Sequence, residues 1–392
     1  MKNIRNELEQ RKQQSLYRSR KQIQSPQGRE IMLNGRRVLN FCSNDYLGLA
    51  AHPAIKQAFI DAASQYGVGS GSAHLVNGHS DLHHKLEEQL AEFTGYPRAL
   101  LFSTGYMANL GVAQSLCGKN DTIIQDRLNH ASLLDAANIS GSRLKRYLHC
   151  DYTSLQKKLD NIDSGELLVS SDAVFSMDGD QADIKAMAQL CQSKQAWLML
   201  DDAHGFGVLG NNGQGSLNHQ NISNENVPIY MATLGKAIGT AGAFVAGSQD
   251  LIEYLIQTAR SYIYTTAMPP AIAAASSASL KLLIKENWRQ QALNENISHF
   301  KSLAKQSGLT CPASDTAIQP VIIGDAQKTW EISQQLLNTG LHVAAIRPPT
   351  VPVNTARLRV TLRADHHRGD IERLVAGIVE AGKDVVSHRS KD

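Results

Sequence analysis

The 392-residue sequence predicts an α/β fold: a mainly parallel central sheet with helices on both faces, plus a smaller α+β C-terminal domain. Two observations carry that prediction. From Leu47 onward, helix-period stretches alternate with short apolar runs, the pattern of βαβ units and a parallel sheet. Those runs are continuously apolar rather than alternating, as strands buried on both faces require. The composition, 42% hydrophobic and 19% charged, is ordinary for a globular chain, and the length suffices for two domains.

Residues 1 to about 24 are polar with weak helical periodicity and predict an N-terminal helix. Apolar residues flank Asn34-Gly35, a strong two-residue turn signal, so Glu30–Phe41 reads as a hairpin. Helices follow near Pro53–Tyr66 and Asp81–Thr94, then a strand near Ala99–Phe102 and a helix from about Tyr106. A strand at Thr122–Gln125 and a helix near Ala131–Ile139 precede strands at Leu144–Leu148, Leu167–Ser170 and Trp197–Leu200. Another buried strand begins at Ile229. The Ala/Ser/Leu-rich run Pro269–Ile284 is helical and leads into the small domain, with strands near Ile318–Ile323 and Leu358–Thr361. The expected division is 1–46 as an N-terminal helix and hairpin, 47–285 as the large domain and 286–392 as the small one. Internal repeats and low-complexity tracts are absent from the sequence.

Net charge is +3 with Lys and Arg scattered, which gives no electrostatic case for nucleic acid. Arg5, Arg11, Lys12, Arg18, Arg20 and Lys21 are interleaved with Glu and Gln and read as a solvated helix face. The five cysteines, Cys42, Cys117, Cys150, Cys191 and Cys311, form no CxxC pair and read as reduced thiols. No signal-peptide pattern opens the chain and no apolar run reaches membrane-span length, so a cytoplasmic protein without membrane association is expected.

Two strand ends about thirty residues apart hold the chemistry. Trp197–Leu200 ends at Asp201 and His204; the strand from Ile229 ends at Thr233 and Lys236. An acid, an imidazole, a hydroxyl and a lysine at such ends suit pyridoxal 5′-phosphate (PLP): the lysine forms a Schiff base with its aldehyde and the acid keeps its ring nitrogen protonated. A buried carboxylate needs a partner, and a pyridinium is one. Lys236 sits among small and apolar residues, where an ammonium is disfavoured and its pKa should fall. Gly235 and Gly239 leave room beside it.

Ser103-Thr104-Gly105-Tyr106 follows a strand and opens a helix, whose unpaired N–H groups suit a phosphate. Alone it is a common capped turn. Thr233 and the pair Thr265-Thr266 offer further hydroxyls for the same phosphate. His130, after a strand end, is placed to stack on a planar ring, or simply to begin a helix. Arg357 and Arg359 alternate along a strand and are read as facing opposite sides, one gripping an amino-acid carboxylate and the other structural. His79, His83 and His84 lie on a helix without an HExxH pattern, and a solvated or capping role is expected rather than a metal.

Longer segments carry a resemblance: NFCSNDYLGLA from Asn40, GSGSAHLVNGH from Gly69, LFSTGYMAN from Leu101, DRLNHASLLDA from Asp126, VFSMDGD from Val174, LDDAHGFGVLG, TLGKAIGTAGAF, YTTAMPP from Tyr264 and AIRPPTVP from Ala345. From about Asn40 onward the chain resembles the α-oxoamine synthases, fold-type I PLP-dependent transferases. AIRPPTVP and YTTAMPP resemble the branch that condenses L-alanine with a pimeloyl thioester, of CoA or acyl carrier protein, in biotin biosynthesis. Relatives using glycine or serine with another acyl-CoA are the alternative. The resemblance implies that Lys236 carries the cofactor and abstracts the α-proton of alanine. It places Asp201 and His204 on the ring nitrogen and 3′ oxygen, His130 on the ring face, and Gly105, Tyr106, Ser176 and Thr233 along the cofactor. Arg357 would take the alanine carboxylate, and Arg18 and Thr350 match positions near the acyl substrate. A homodimer with the site at the interface is implied, with Thr265 and Thr266 reaching the neighbour's phosphate. The chain departs from the pattern at Gln214, where many relatives carry Arg, at Asn354, where Gly is usual, and at Asp172, where some have Glu.

Overall fold

The computed structural model describes residues 2–13, 16–162 and 164–389. They divide into two compact units: Asp45–Ser176 with Asp180–Gln291, and Met1–Asn44 with Met177–Gly179 and Ala292–Asp392. The strands are β1 (Glu30–Leu33), β2 (Arg36–Asn40), β3 (Arg98–Phe102), β4 (Thr122–Asp126), β5 (Arg143–Tyr147), β6 (Leu167–Asp172) and β7 (Trp197–Asp201). They continue with β8 (Ile229–Thr233), β9 (Ala243–Gly247), β10 (Ile318–Gly324), β11 (Leu341–His342), β12 (Ala344–Ile346) and β13 (Ala356–Thr361).

The larger unit is built on a seven-stranded sheet of order β3-β9-β8-β7-β6-β4-β5. β9 runs antiparallel to both β3 and β8; the other neighbouring pairs are parallel. Every residue of β4, β6 and β9 is buried, including the polar Thr122, Gln125, Asp126, Ser170, Ser171 and Asp172. Each strand sends alternate side chains to opposite faces. On one face Phe102, Ile123, Leu168, Met199, Met231 and Val245 meet the helices Gly105–Leu116, Ala131–Ser140 and Gln249–Thr258. On the other, Phe244 and Tyr230 pack against Phe206 and Tyr96, and Phe206 against Phe93 of the helix Asp81–Thr94. Fully buried side chains of this kind contribute roughly 1.5–3 kcal/mol each.

The observed helices Pro53–Tyr66 and Asp81–Thr94 coincide with the expected ones. Three further helices, Tyr152–Asp160, Ile184–Ser193 and Gln249–Thr258, were not read from periodicity; each starts at a capping Asp151, Asp183 or Ser248. β9 was also missed, being a run of only five residues that follows a glycine-bearing turn.

In the smaller unit, Asn34 and Gly35 both take positive φ, 48° and 77°, as the predicted hairpin turn requires. β2 then pairs in parallel with β11, and β10, β13 and β12 form a second sheet. The N-terminal helix covers Ile4–Gln13, not residues up to 24. Further along, Gln24 N–H donates to the Met32 carbonyl, and Ile23 bridges Leu33. Asn354, where relatives carry Gly, has φ 65°, a left-handed conformation that Asn tolerates better than most residues.

β8 ends in a turn that decides where Lys236 points. Gly239 N–H donates to the Lys236 carbonyl at 2.9 Å, and Leu234 N–H to the Gly242 carbonyl at 2.9 Å. Gly239 has φ +72°, and a Cβ there would lie 2.5 Å from the Ala50 nitrogen. Gly239→Ala is therefore expected to lower unfolding stability by about 1–3 kcal/mol; an unchanged midpoint in urea denaturation would contradict this packing.

Candidate active site

Because β3, β4, β6, β7 and β8 run in one direction, their carboxyl ends share one edge of the sheet, where open α/β sheets bind ligands. A cavity of about 190 Å³ lies there. Its lining comes from five strand ends: Gly105 and Tyr106 after β3, His130 and Ser132 after β4, Asp172 and Ser176 from β6, Asp201, Ala203 and His204 from β7, Thr233 and Lys236 from β8.

Asp201 is the last residue of β7 and is 5% exposed. Its carboxylate accepts from Asn109 Nδ2 at 2.9 Å and from the Ala203 N–H at 3.1 Å. Asn109 also donates to Ser132 Oγ at 2.8 Å. Asp202, the next residue, is a structural acid. It accepts from the Ser216 N–H, the Ser216 hydroxyl and the Tyr230 hydroxyl at 2.6–2.7 Å. Burial raises its pKa to about 6 despite those donors. Gly205 makes room for it, since a Cβ there would lie 2.2 Å from Asp202 Oδ1.

His204 bridges two groups. Its Nε2 is 2.9 Å from Lys236 Nζ and its Nδ1 is 2.5 Å from the Tyr46 hydroxyl. Thr233 Oγ1 donates to the Gly242 carbonyl at 2.9 Å and accepts the Gly235 N–H. Thr104 caps the helix Gly105–Leu116 by accepting the Met107 N–H at 3.1 Å. The N–H groups of Gly105 and Tyr106 precede the helix's own ladder and form its positive end. The Tyr106 hydroxyl donates to Asp135. His130 caps the helix Ala131–Ser140; its N–H donates to Asp172 Oδ2 and its Nδ1 contacts Ser132 Oγ at 2.7 Å. Asp172 pairs in register with Asp201 across β6 and β7. Burial, then the Asp201 charge, raise its pKa well above the usual carboxylate range.

Eight predicted residues thus line one cavity: Lys236, Asp201, His204, Thr233, His130, Ser176, Gly105 and Tyr106. Asp172, noted from the sequence only as a departure lying apart from the cofactor residues, lines the same cavity, a correction that its register beside Asp201 explains. Thr265 and Thr266 lie outside that lining; Thr266 is exposed and bridges Ala73. Arg18, Thr350 and Arg357 belong to the smaller unit. There the buried Arg357 pairs with Asp178 and donates to the Thr355 carbonyl, while Thr350 donates its N–H to the Arg347 carbonyl. The expectation that Arg357 and Arg359 face opposite sides is corrected: residues two apart on a strand share a face. Arg359 contacts Asn44 and Thr361, the latter two residues further along β13. Gln214 is structural, donating to the Phe93 carbonyl and accepting from Asn218. Tyr46 and Asn109 escaped sequence reading. Both lie inside quoted segments, but no spacing rule links them to His204 or Asp201.

The family described as aminotransferase class I and II matches residues 36–378. The chain belongs to that family. A curated relative named 8-amino-7-oxononanoate synthase, from Pseudomonas savastanoi pv. phaseolicola, is 54% identical over 96% of this chain and 94% of its own. One of the same name from Hahella chejuensis is 56% identical over 93% and 92%. Among solved structures, an 8-amino-7-oxononanoate synthase from Francisella tularensis is 33% identical with TM-score 0.78, covering 88% of this chain and 98% of that one. A serine palmitoyltransferase from S. paucimobilis, solved with a bound PLP–myriocin aldimine, is 27% identical with TM-score 0.92, covering 98% of both chains. Within the family the chain groups with the 8-amino-7-oxononanoate synthases.

Asn109 is the donor on which the buried Asp201 leans. Asn109→Ala is expected to destabilise the fold by about 1–3 kcal/mol. Asn109→Asp should be worse, because it adds a like charge beside Asp201. Equal thermal midpoints for the two variants would refute the pairing.

Proposed function

We propose that the chain is a PLP-dependent acyltransferase that condenses L-alanine with a pimeloyl thioester to 8-amino-7-oxononanoate, CO2 and free thiol, the biotin-pathway reaction. The observation that carries this reading is the meeting of Lys236, His204 and the buried Asp201 in one cavity. The donor set suits PLP: a carboxylate for its ring nitrogen, an amine for its aldehyde, and a helix N-terminus with a threonine hydroxyl for its phosphate. The relatives' shared name supports the reaction, and the serine palmitoyltransferase solved with a PLP adduct supports the cofactor.

When bound, PLP supplies an electron sink for carbanion chemistry at the α-carbon of alanine. Asp201 would hold the ring nitrogen protonated, with Asn109 fixing the carboxylate. His204 would donate to the 3′ oxygen, oriented by Tyr46. His130 would stack on the ring, and Gly105, Tyr106, Ser176 and Thr233 would hold the rest. Lys236 would attach the cofactor and take the α-proton. A carbon–carbon bond would then form at the thioester carbonyl as its carbon–sulfur bond breaks and the thiol leaves; the bond from the α-carbon to the alanine carboxylate would break to release CO2, and a proton would take its place.

Arg357, Arg18 and Thr350 are proposed as substrate contacts on family resemblance alone. Since Arg357 already pairs with Asp178, a substrate carboxylate would have to share or replace that partner. Thr265 and Thr266 are proposed to serve the phosphate of a second subunit in a homodimer. Their position outside the cavity lining agrees with this. Among the described residues no helix is long and apolar enough to cross a membrane.

Lys236→Ala is expected to stay folded but to lose turnover by at least roughly 10²–10⁴-fold, the span of a general acid–base contribution; near-normal activity would sink the mechanism. In a substrate screen of the intact enzyme, L-alanine with pimeloyl-CoA should turn over fastest. A clear preference for glycine or serine with another acyl-CoA would replace this assignment by the neighbouring one.

A further inference from the structure

Outside the cavity, a dense group of ligating side chains joins two stretches of the larger unit. His74 opens a single π-helical turn, His74–Gly78, and His79 follows it. His83 and Glu87 stand one turn apart on the next helix, Asp81–Thr94. The turn depends on Gly78, where a Cβ would lie 2.2 Å from the Ser72 carbonyl oxygen. Single π turns are uncommon and concentrate at functional sites.

One ring nitrogen from each of His74, His79 and His83 lies within 4.8 Å of the others. The Nδ1 atoms of His74 and His79 are 3.0 Å apart. Two nitrogens bound to one tetrahedral zinc at roughly 2.0–2.1 Å stand about 3.3 Å from each other. A cation can therefore replace the shared proton with a shift of a few tenths of an ångström. The buried His74 ring is stacked on Tyr262, centroids 5.0 Å apart at 14°.

The outer contact of His83 matches that of metal-ligating histidines, whose second ring N–H goes to a carboxylate or carbonyl. His79 Nε2 faces Glu87 Oε2 at 3.9 Å, and Glu87 is itself anchored by the Leu101 N–H at 2.9 Å. His83 Nε2 is 2.7 Å from the Met268 carbonyl and must be the donor there. Its Nδ1 then carries a lone pair, now directed at the Ser80 N–H and hydroxyl.

The geometry points to a transition-metal site formed by His74, His79 and His83, taking a nitrogen-preferring divalent cation such as Zn²⁺ with solvent as the fourth ligand. His83 enters through Nδ1, giving up its contacts with Ser80. The role is structural. The cation would tie the π turn to the helix Asp81–Thr94, beside the segment where Ala73 bridges Thr266 and the Ala267 N–H donates to the Ser72 carbonyl. A second, overlapping group of His79, His84 and Glu87 is the competing location, and His84 is exposed.

The test uses tag-free holoenzyme, stripped with chelator, loaded with zinc sulfate and passed through gel filtration before metal analysis. Wild type and His84→Gln should each retain about one zinc per chain. His74→Phe/His79→Gln should retain at least tenfold less. Zinc should raise the thermal midpoint of wild type by several degrees and leave the double variant unchanged. The single His79→Gln, which keeps the stack on Tyr262, should also lose zinc and covers the case where the double variant fails to fold. Wild-type retention no higher than in His79→Gln would overturn the site, and so would loss of zinc in His84→Gln.

Discussion

A carboxylate at the end of a buried strand constrains the rest of this molecule. Asp201 is held at the mouth of β7 by Asn109 and the Ala203 N–H. An unpaired carboxylate at that depth would be expelled or neutralised. The helix Gly105–Leu116 must therefore lie where Asn109 reaches β7, and that same placement brings its N-terminus to the edge of the cavity. One packing decision serves both ends of the candidate site.

The neighbouring acid shows how finely the strand sorts its side chains. Asp201 and Asp202 are adjacent, yet one lines the cavity and the other is sealed among Ser216, Tyr230 and Gly205. Strand alternation separates them. The separation also divides their chemistry: Asp202 spends its lone pairs on internal donors, whereas Asp201 keeps an approach from the cavity. On the β8 side the turn closed by Gly239 plays the matching part, turning Lys236 toward His204. His204 in turn is positioned by Tyr46, so the amine and the carboxylate are each supported by a residue remote in sequence.

Much of this was legible in the chain because the informative residues are local. Asp201 with His204, and Thr233 with Lys236, each occupy one strand end, and short spacing on one side of a strand end survives any tertiary arrangement. The Asn34-Gly35 hairpin was legible for the same reason, its positive φ values being demanded within two residues. The misses have specific causes. The helices after Asp151, Asp183 and Ser248 carried cap signals that periodicity alone overlooked. The helix predicted to about residue 24 covers Ile4–Gln13, and Gln24 pairs with the hairpin instead, a tertiary contact in place of weak helical propensity. Arg357 and Arg359 were assigned opposite faces against the two-residue period of a strand. The expectation that His79 shares a helix with His83 and His84 is corrected: His79 closes the π turn opened by His74, before the N-cap Ser80, and no period announces that turn.

By itself the sequence determined the fold class, the places of the strands β3, β4, β6, β7 and β8 and the four residues at the ends of β7 and β8, since each of these depends on local composition and spacing. The tertiary structure alone decided that Tyr46 meets His204, that Asn109 meets Asp201, that Asp172 lies beside Asp201 in register, and that β9 runs antiparallel between β3 and β8. The physical reason is the same in each case: these contacts join residues tens of positions apart, and strand register and helix docking set their distances.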